Sequence, residues 1–223
     1  MAYLCSGQTA LQFMGISTAN FLRISLSPPR PFAGLGAYLR LHLNGGVSRV
    51  HLRFPGCDIG DYRNVLEGME LDPDLEARVS LSDHFGLLDE YPRLGVHLST
   101  SRRAEYPEPR RYFGGERAIS TSTHSPAELA SLPVANFDYA FLGPVYPSIS
   151  KPGYGPKGGA DLLTGQIPHG EGHIAAVALG GIEPERLAAI RRAGFAGAAM
   201  LGGLWRDLSP EGQRRVIAQF TES

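Results

Sequence analysis

Residue types that could hold a phosphate or transfer a proton follow several short apolar runs of this sequence. Gly180 and Gly181 follow the seventh run, and Gly202 and Gly203 follow the eighth. Paired glycines let main-chain N–H groups approach an anion, and a helix that starts nearby adds its dipole. Glycines also form tight turns, so one pair alone would be a weak signal. Two pairs, after the last two runs, favour a phosphate site.

A long loop rich in glycine and proline follows the sixth apolar run and carries Ser148, Ser150 and Lys151. Two hydroxyls and a lysine on such a loop can close over a phosphorylated substrate. A solvated surface lysine is the simpler interpretation. The length of the loop and its place after a strand favour the binding role.

Two histidines belong to the apolar runs themselves. His97 lies inside the fourth run, where a hydrogen-bonded interior histidine is a better expectation than a catalyst. His51 ends the second run, so it can be either an interior residue or a functional one.

The runs that position these residues are rich in β-branched and other apolar side chains. Several are nearly continuous rather than alternating, which is typical of strands covered on both faces, as in parallel sheets. We predict eight strands, over residues 21–26, 47–52, 78–81, 95–98, 118–121, 139–142, 174–179 and 197–201.

The segments between the runs carry helix signals. Ser125, Pro126 and Glu128 form a capping box, in which the Ser125 side chain caps the helix and Glu128 reaches back. Further helices are predicted from Pro184 to a cap at Gly194, from Ser209 towards Phe220, and over residues 33–43 and 62–69. Residues 102–115 are polar and proline-rich, so we predict a loop there.

Strand–helix alternation repeated about eight times predicts an α/β fold, a (β/α)8 TIM barrel. We assign the barrel to residues 21–223 as a single domain, preceded by an irregular N-terminal extension over residues 1–20. A doubly wound open sheet is the alternative, but no glycine-rich fingerprint follows the first strand. In a barrel the active site lies at the carboxyl ends of the strands, where the residues above are found.

Composition narrows the class of protein. The chain has 223 residues, 21 Lys and Arg against 22 Asp and Glu, and a net charge of −1. This balance argues against a nucleic-acid binder. Two cysteines cannot build a disulfide framework, and the apolar runs are too short to span a membrane. We therefore expect a cytoplasmic protein that binds neither nucleic acid nor membrane.

Several strings, taken in order, resemble one enzyme family. They are His51-Leu52-Arg53, Ser82-Asp83, Gly95-Val96-His97-Leu98, Ser122-Thr123-His124-Ser125, the stretch 138–144 leading into Ser148-Ile149-Ser150-Lys151, and Ala178-Leu179-Gly180-Gly181-Ile182. Together they resemble the thiamine phosphate synthase family, which includes the TenI-type thiazole tautomerases. The resemblance covers residues 21 to 206.

The resemblance implies a chemistry. A synthase of this family joins hydroxymethylpyrimidine pyrophosphate to thiazole phosphate and releases pyrophosphate. Cations and Mg²⁺ are needed where the charge of the leaving group develops. The implied catalytic residues are His124, Lys151 and Arg53, and Asp83 is the implied Mg²⁺ ligand. The implied substrate-binding residues are His51, Ser82, Ser122, Ser148, Ser150, Gly180, Gly181 and Gly202. His124 aligns with the proton-transfer histidine of the tautomerases.

The sequence departs from the family pattern around the expected pyrophosphate. The family's Gln-Leu-Arg, followed two residues later by lysine, reads His51-Leu52-Arg53-Phe54-Pro55, and its Asn-Asp reads Ser82-Asp83. The usual Gly-Gln-x-Asp reads Ser99-Thr100-Ser101-Arg102, so the second metal carboxylate is missing. Arg102 and Arg103 are candidates to supply a cation directly.

Three functions remain open. The first is a thiamine phosphate synthase, a transferase. The second is a TenI-type thiazole tautomerase, an isomerase that needs no pyrophosphate site. The third is a non-catalytic barrel that binds a phosphorylated ligand. In each case we expect small phosphorylated partners, and a homo-oligomer is compatible with all three.

Overall fold

The computed structural model describes residues 20–147, 162–163, 167–170 and 172–222. Eight parallel strands close into a barrel in sequence order, with β1 paired to both β2 and β8. The strands are β1 (Leu22–Leu26), β2 (Arg49–Leu52), β3 (Val79–Leu81), β4 (Gly95–Leu98), β5 (Ile119–Thr123), β6 (Tyr139–Leu142), β7 (Ala175–Leu179) and β8 (Gly197–Met200). The closed barrel confirms the predicted fold class, and it excludes the open doubly wound sheet.

Closure follows from the register at β1. Ile24 is aligned with Arg49 of β2 on one side and with Ala199 of β8 on the other. Each strand therefore has two neighbours and no edge is left exposed. The eight predicted runs match the eight strands to within two residues at their ends, because strands buried on both faces carry a strong apolar signal.

Helices cover the outside of the barrel. In the described residues they are α1 (Leu35–Asn44), α2 (Ile59–Met69), α3 (Pro73–Glu76), α4 (Thr100–Glu105), α5 (Pro109–Phe113), α6 (Pro126–Ala130), α7 (Leu187–Arg192) and α8 (Pro210–Glu222). Helix α1 packs tightly on α2, since a Cβ at Gly36 would lie 2.4 Å from the carbonyl carbon of Gly68. No helix of the described ranges has the length and apolar character needed to cross a membrane.

The loop predicted over residues 102–115 is wrong, because α4 and α5 lie there. The Ser99 side chain caps α4 by accepting from Arg102 N–H at 3.4 Å, and Pro109 occupies the start of α5. Both helices are held by aromatic packing, with Phe113 and Tyr106 against Phe85 at ring-centroid distances of 5.0 and 5.9 Å. Tertiary contacts of this kind stabilise short helices that local pattern does not reveal.

The interior of the barrel is partly polar. A small apolar cluster that includes Ile24, Phe141 and Val177 lies inside the strands. Buried polar side chains share this interior with it, namely Arg49, His51, Ser80, His97 and Ser120. The predicted extension over residues 1–20 lies outside the described residues except for Asn20, so the domain boundary stays a prediction.

Candidate active site at the carboxyl ends of the strands

Contacts between loops join several neighbouring strand ends at the carboxyl end of the barrel, which we call the mouth. The Arg53 N–H donates to Ser27 Oγ at 2.9 Å, joining the ends of β1 and β2. Asp83 after β3 is ion-paired with Arg102 after β4. On the far side, the Trp205 indole after β8 donates to the Leu26 carbonyl at 2.8 Å. The barrel therefore brings Arg53, Asp83 and Arg102 to one end.

The glycine turns after β7 and β8 are neighbours, as a shared phosphate site requires. A Cβ placed on Gly203 would lie 3.9 Å from the Ile182 carbonyl oxygen, which puts the two turns side by side. Within the described residues, the main-chain N–H groups of Gly181, Gly202 and Gly203 donate to no backbone carbonyl. Three such donors can meet the oxygens of a phosphate.

The two glycine turns differ in what requires glycine. Gly180 and Gly181 have positive φ angles of 97° and 62°, and a Cβ on Gly181 would lie 2.6 Å from the Pro147 carbonyl oxygen. A Cβ placed on Gly202 would have nothing within 4 Å, so the surroundings of this residue are open. Gly180 and Gly181 thus let the loop after β6 pack closely, whereas open space for a ligand lies at Gly202.

A histidine–serine pair lies just below the mouth. His97 is buried. Its Nδ1 is hydrogen-bonded to Ser120 Oγ and its Nε2 to Ser122 Oγ, both at 2.9 Å. Burial, and to a lesser degree the charge of Arg53, lowers the pKa of His97 to about 3. The ring is neutral near neutrality and positions the Ser122 hydroxyl. The interior role expected for His97 is confirmed, and the exposed Arg53 lies close enough to act on it.

His51 lies deeper than a substrate-binding residue would. Its Nε2 is 2.6 Å from the Tyr139 hydroxyl, and only 1% of the residue is exposed. Burial, then the charges of His97 and Arg49, hold its pKa well below the usual value. Its Nδ1 is buried and has no hydrogen-bond partner in the described part of the chain. The geometry therefore makes His51 an interior residue, and direct substrate contact would need the interior to open.

His124 stands at the mouth with its ring accessible. Its Nδ1 lies 3.2 Å from the Gly143 carbonyl oxygen, and its main-chain N–H donates to Glu128 Oε2 at 2.7 Å. The capping box is therefore shifted: Ser125 Oγ accepts from Glu128 N–H at 3.1 Å, but Glu128 reaches back to His124 rather than to Ser125. This leaves the Nε2 edge of His124 for a ligand, which suits proton transfer.

Asp83 is engaged by donors at one of its two carboxylate oxygens. Its Oδ1 accepts from the Arg102 guanidinium and from His84 N–H, the latter at 2.8 Å. Arg102 also lies 3.5 Å from Glu105 and over the Phe85 ring. Mg²⁺ is usually bound through carboxylates and water in an octahedral shell, and no group of three metal-ligating side chains occurs among the described residues. A carboxylate already paired with a guanidinium fits the predicted Mg²⁺ poorly, and that cofactor stays a prediction.

The two candidate cations after β4 have different surroundings. Arg103 is held by Glu128 at 2.6 Å and by the Thr121 hydroxyl at 3.2 Å, so it braces α6 and β5. Burial raises the pKa of Glu128, but hydrogen bonds from Arg103 and His124 outweigh it and lower that pKa. Arg102, beside Asp83 at the mouth, is the one placed to meet a ligand.

Ser82 follows β3 and donates its N–H to the Leu52 carbonyl at 3.1 Å.

Three predicted residues, Ser148, Ser150 and Lys151, lie outside the described residues. The described site also includes two features that the sequence analysis missed. One is the Asp83–Arg102 pair, and the other is Tyr139 beneath His51. Tyr139 and Phe141 stand two residues apart on one strand, a period-two spacing that indicates a shared face. That spacing could have identified Tyr139 from the sequence. No local sequence pattern indicates the Asp83–Arg102 ion pair.

Comparison with known proteins agrees with this geometry. The family model described as thiamine monophosphate synthase matches residues 32–204. A Geobacter sulfurreducens protein provisionally named thiamine-phosphate synthase is 30% identical over 176 residues, covering 78% of this chain and 81% of its own. The thiamine-phosphate synthase of Syntrophomonas wolfei is 26% identical over 185 residues, covering 82% of this chain and 87% of its own.

Solved structures show the same fold. The thiamine phosphate pyrophosphorylase of Bacteroides thetaiotaomicron aligns with a TM-score of 0.67 at 21% identity, covering 91% of this chain and 96% of that one. A geranylgeranylglyceryl phosphate synthase of Thermoplasma acidophilum aligns with a TM-score of 0.65 at 13% identity, covering 100% and 98%. The extent of the family match decides the assignment: this chain belongs to the thiamine monophosphate synthase family.

Proposed function

We propose that this protein is a thiamine phosphate synthase of the transferase type, acting in thiamine biosynthesis. The thiazole nitrogen would attack the methylene carbon of hydroxymethylpyrimidine pyrophosphate. The bond from that carbon to oxygen would break, and pyrophosphate would leave with the electron pair. The observation that carries the proposal is the family match over residues 32–204, combined with a mouth that collects glycine N–H donors and arginines.

Each part of the mouth has a role in this reaction. The N–H groups of Gly181, Gly202 and Gly203 would hold the thiazole phosphate, because they lack backbone acceptors in the described chain. Ser122, positioned by His97, would donate to the pyrophosphate. Arg53 and Arg102 would carry the charge that stabilises the leaving group, with Lys151 predicted from the sequence as a third cation.

We propose that Arg102 takes over part of the work that Mg²⁺ was expected to do. Its guanidinium is fixed by Asp83 and by the Phe85 ring, so the charge is already oriented at the mouth. A fixed guanidinium offers several N–H donors to phosphate oxygens and does not need further carboxylates. No step of the proposed reaction passes through a metal ion.

The thiazole tautomerase remains the second candidate. It is favoured by one observation, the neutralisation of Asp83 by Arg102, because a tautomerase binds only the thiazole phosphate. The accessible ring of His124 supplies the acid–base group that such a reaction requires. Replacement His124→Ala would abolish isomerisation while leaving phosphate binding at the glycine turns intact.

A cytoplasmic location and a homo-oligomer stay predictions from the sequence.

The deciding experiment incubates the purified protein with both phosphorylated substrates and follows thiamine phosphate and pyrophosphate. Parallel reactions contain Mg²⁺ or EDTA. Formation of both products supports the synthase, and their absence at high enzyme concentration, with thiazole isomerisation present, supports the tautomerase. Turnover that persists in EDTA supports the role given to Arg102. A strict requirement for Mg²⁺ contradicts that role and restores the metal expected from the sequence.

Lys151 offers a test of the sequence-based part of the proposal. Removal of a charge-assisted contact to the leaving group should lower turnover by about ten-fold or more in Lys151→Ala. The matched control is Arg215→Ala, which removes an exposed cation of α8 that is paired with Asp207. Equal kinetics of the two variants would remove Lys151 from the mechanism.

A further inference from the structure

A cavity lies at the opposite end of the barrel from the mouth. It has a volume of about 650 Å³ and opens at the amino ends of the first strands. Its charged lining residues are Arg49, Arg78, Arg93 and Arg117, with Asp74 and Glu116. Cavities of this size match small-molecule ligands. Nothing in the synthase reaction uses this end of the barrel.

Arg49 is a buried charge without a counter-ion. Only 3% of the residue is exposed, and it forms no ion pair within the described ranges. Among the described residues, its guanidinium makes one hydrogen bond, from Nη1 to Ser80 Oγ at 3.2 Å, and the rest of the group faces the cavity that Arg49 lines. A buried cation is strongly unfavourable unless it is paired and hydrogen-bonded. The site is therefore incomplete as it stands.

The neighbouring arginines do not relieve this charge. Arg117 donates from Nη1 to the Leu94 carbonyl at 3.0 Å, while its buried Nε has no partner in the described structure. Arg78 donates to main-chain carbonyls, including that of Leu43 at 2.8 Å. Burial, and then the charge of Arg49, lowers the pKa of Arg78, while Asp72 opposes them; burial lowers the pKa of Arg117, while Glu76 opposes it. Three cations thus converge without an ion pair in the described part of the chain.

The sequence limits which acidic groups could pair with Arg49. Asn20 lines the cavity, and residues 1–19 of the sequence contain no Asp or Glu. That segment therefore cannot contribute a carboxylate to Arg49. Within the cavity, Asp74 and Glu116 form no ion pair with any of the four arginines. Asp72 and Glu76 act on Arg78 and Arg117 through their charge, but among the described residues neither forms an ion pair with a cavity arginine. An external anion therefore fits the charge of Arg49 better than these acidic groups do.

We propose that the cavity at the amino ends of the strands is a second anion site, which binds a small molecule carrying a phosphate or diphosphate group. Arg49 and Arg117 contact the anion, and Arg93 at the rim helps to admit it. The floor of the cavity includes Leu22, Ile24 and Tyr139, which suit the apolar part of such a ligand. The Tyr139 hydroxyl also contacts His51, so the site adjoins the polar interior of the barrel.

Calorimetric titration with inorganic pyrophosphate tests the proposal, because the probe can enter both ends of the barrel. The expected stoichiometry for the unmodified protein is two. Arg49→Met, which keeps most of the side-chain volume, should weaken one site by about ten-fold or more and leave the other unchanged. Arg53→Ala should weaken the site at the mouth instead. Arg215→Ala on the exposed face of α8 is the control for net charge and should bind as the unmodified protein does.

The outcomes separate this site from the synthase site. Loss of all pyrophosphate binding in Arg53→Ala, or unchanged stoichiometry and affinity in Arg49→Met, would overturn the proposal. Failure of the synthase assay, with two sites retained in calorimetry, would contradict the proposed function alone. If Arg49→Met does not fold, Arg93→Glu at the exposed rim replaces it, and the same site should weaken. Unchanged binding in that variant would also overturn the proposal.

Discussion

Arg102 shows how one side chain changes the chemistry open to a site. The guanidinium lies where it neutralises Asp83, and the two are half-exposed at the mouth. An ion pair in such a position contributes little to folding, because solvent screens it. Its importance lies in presenting fixed guanidinium N–H donors to a ligand. The same pair occupies one oxygen of the carboxylate that a metal ion would need.

Replacement Arg102→Ala should raise KM for hydroxymethylpyrimidine pyrophosphate by about ten-fold, since a charge-assisted contact to phosphate is lost. Added Mg²⁺ should restore little, because one carboxylate, Asp83, would be left to bind it. Steady-state kinetics with Arg215→Ala as the control would measure both effects. An unchanged KM, or full recovery in Mg²⁺, would be incompatible with the role given to Arg102.

At the scale of the elements, the two glycine turns need glycine for different reasons. The turn after β7 needs it for its backbone conformation, whereas the turn after β8 has open space for a ligand. Gly181 has a φ angle of 62° and a close neighbour in Pro147, so a side chain there strains the turn. Gly202 has no such neighbour. Both turns follow parallel strands that are paired to each other, with Leu179 aligned to Ala199.

Gly181→Ala should therefore lower the free energy of unfolding by roughly 1–3 kcal/mol, the usual cost of a strained backbone residue. Gly202→Ala should leave stability nearly unchanged and weaken binding of thiazole phosphate, since a methyl group would enter the open space. Urea unfolding and calorimetry, applied to both variants, measure the contrast. Equal stability losses in the two variants would show that the turns are alike.

The elements were predictable where local pattern dictates structure. The eight strands could be read because two-sided burial leaves runs such as that of β6, with Tyr139 to Leu142 all buried. Helices α4 and α5 could not, since their stability comes from packing on Phe85, a residue distant in sequence. The Asp83–Arg102 pair was hidden for the same reason: it joins the ends of two different strands. The contact arises only when the barrel closes, so no spacing of residues in the sequence predicts it.

At the scale of the whole molecule, three buried histidines link folding to pH. His42 lies between Ser25, at 2.7 Å, and Gln213, at 2.8 Å, joining β1, α1 and α8. Burial lowers its pKa to about 4, and burial also lowers that of His97 to about 3. His51 is shifted in the same direction. All three are neutral in the folded protein and contribute to a barrel interior that is built around uncharged rings.

This arrangement predicts that stability falls as pH decreases below about 6.5, the ordinary pKa of histidine in an unfolded chain. Between that value and about 4, the unfolded chain binds protons that the folded protein excludes, so each histidine can cost up to about 1.4 kcal/mol per pH unit. Urea unfolding at pH 7.5, 6.5 and 5.5 measures the slope. His42→Gln, which keeps a hydrogen-bonding group between Ser25 and Gln213, should reduce it by about one histidine's share. His173→Gln, at an exposed position, should leave the slope unchanged. A slope that His42→Gln does not alter would mean that His42 accepts its proton without unfolding, and that the interior tolerates the charge.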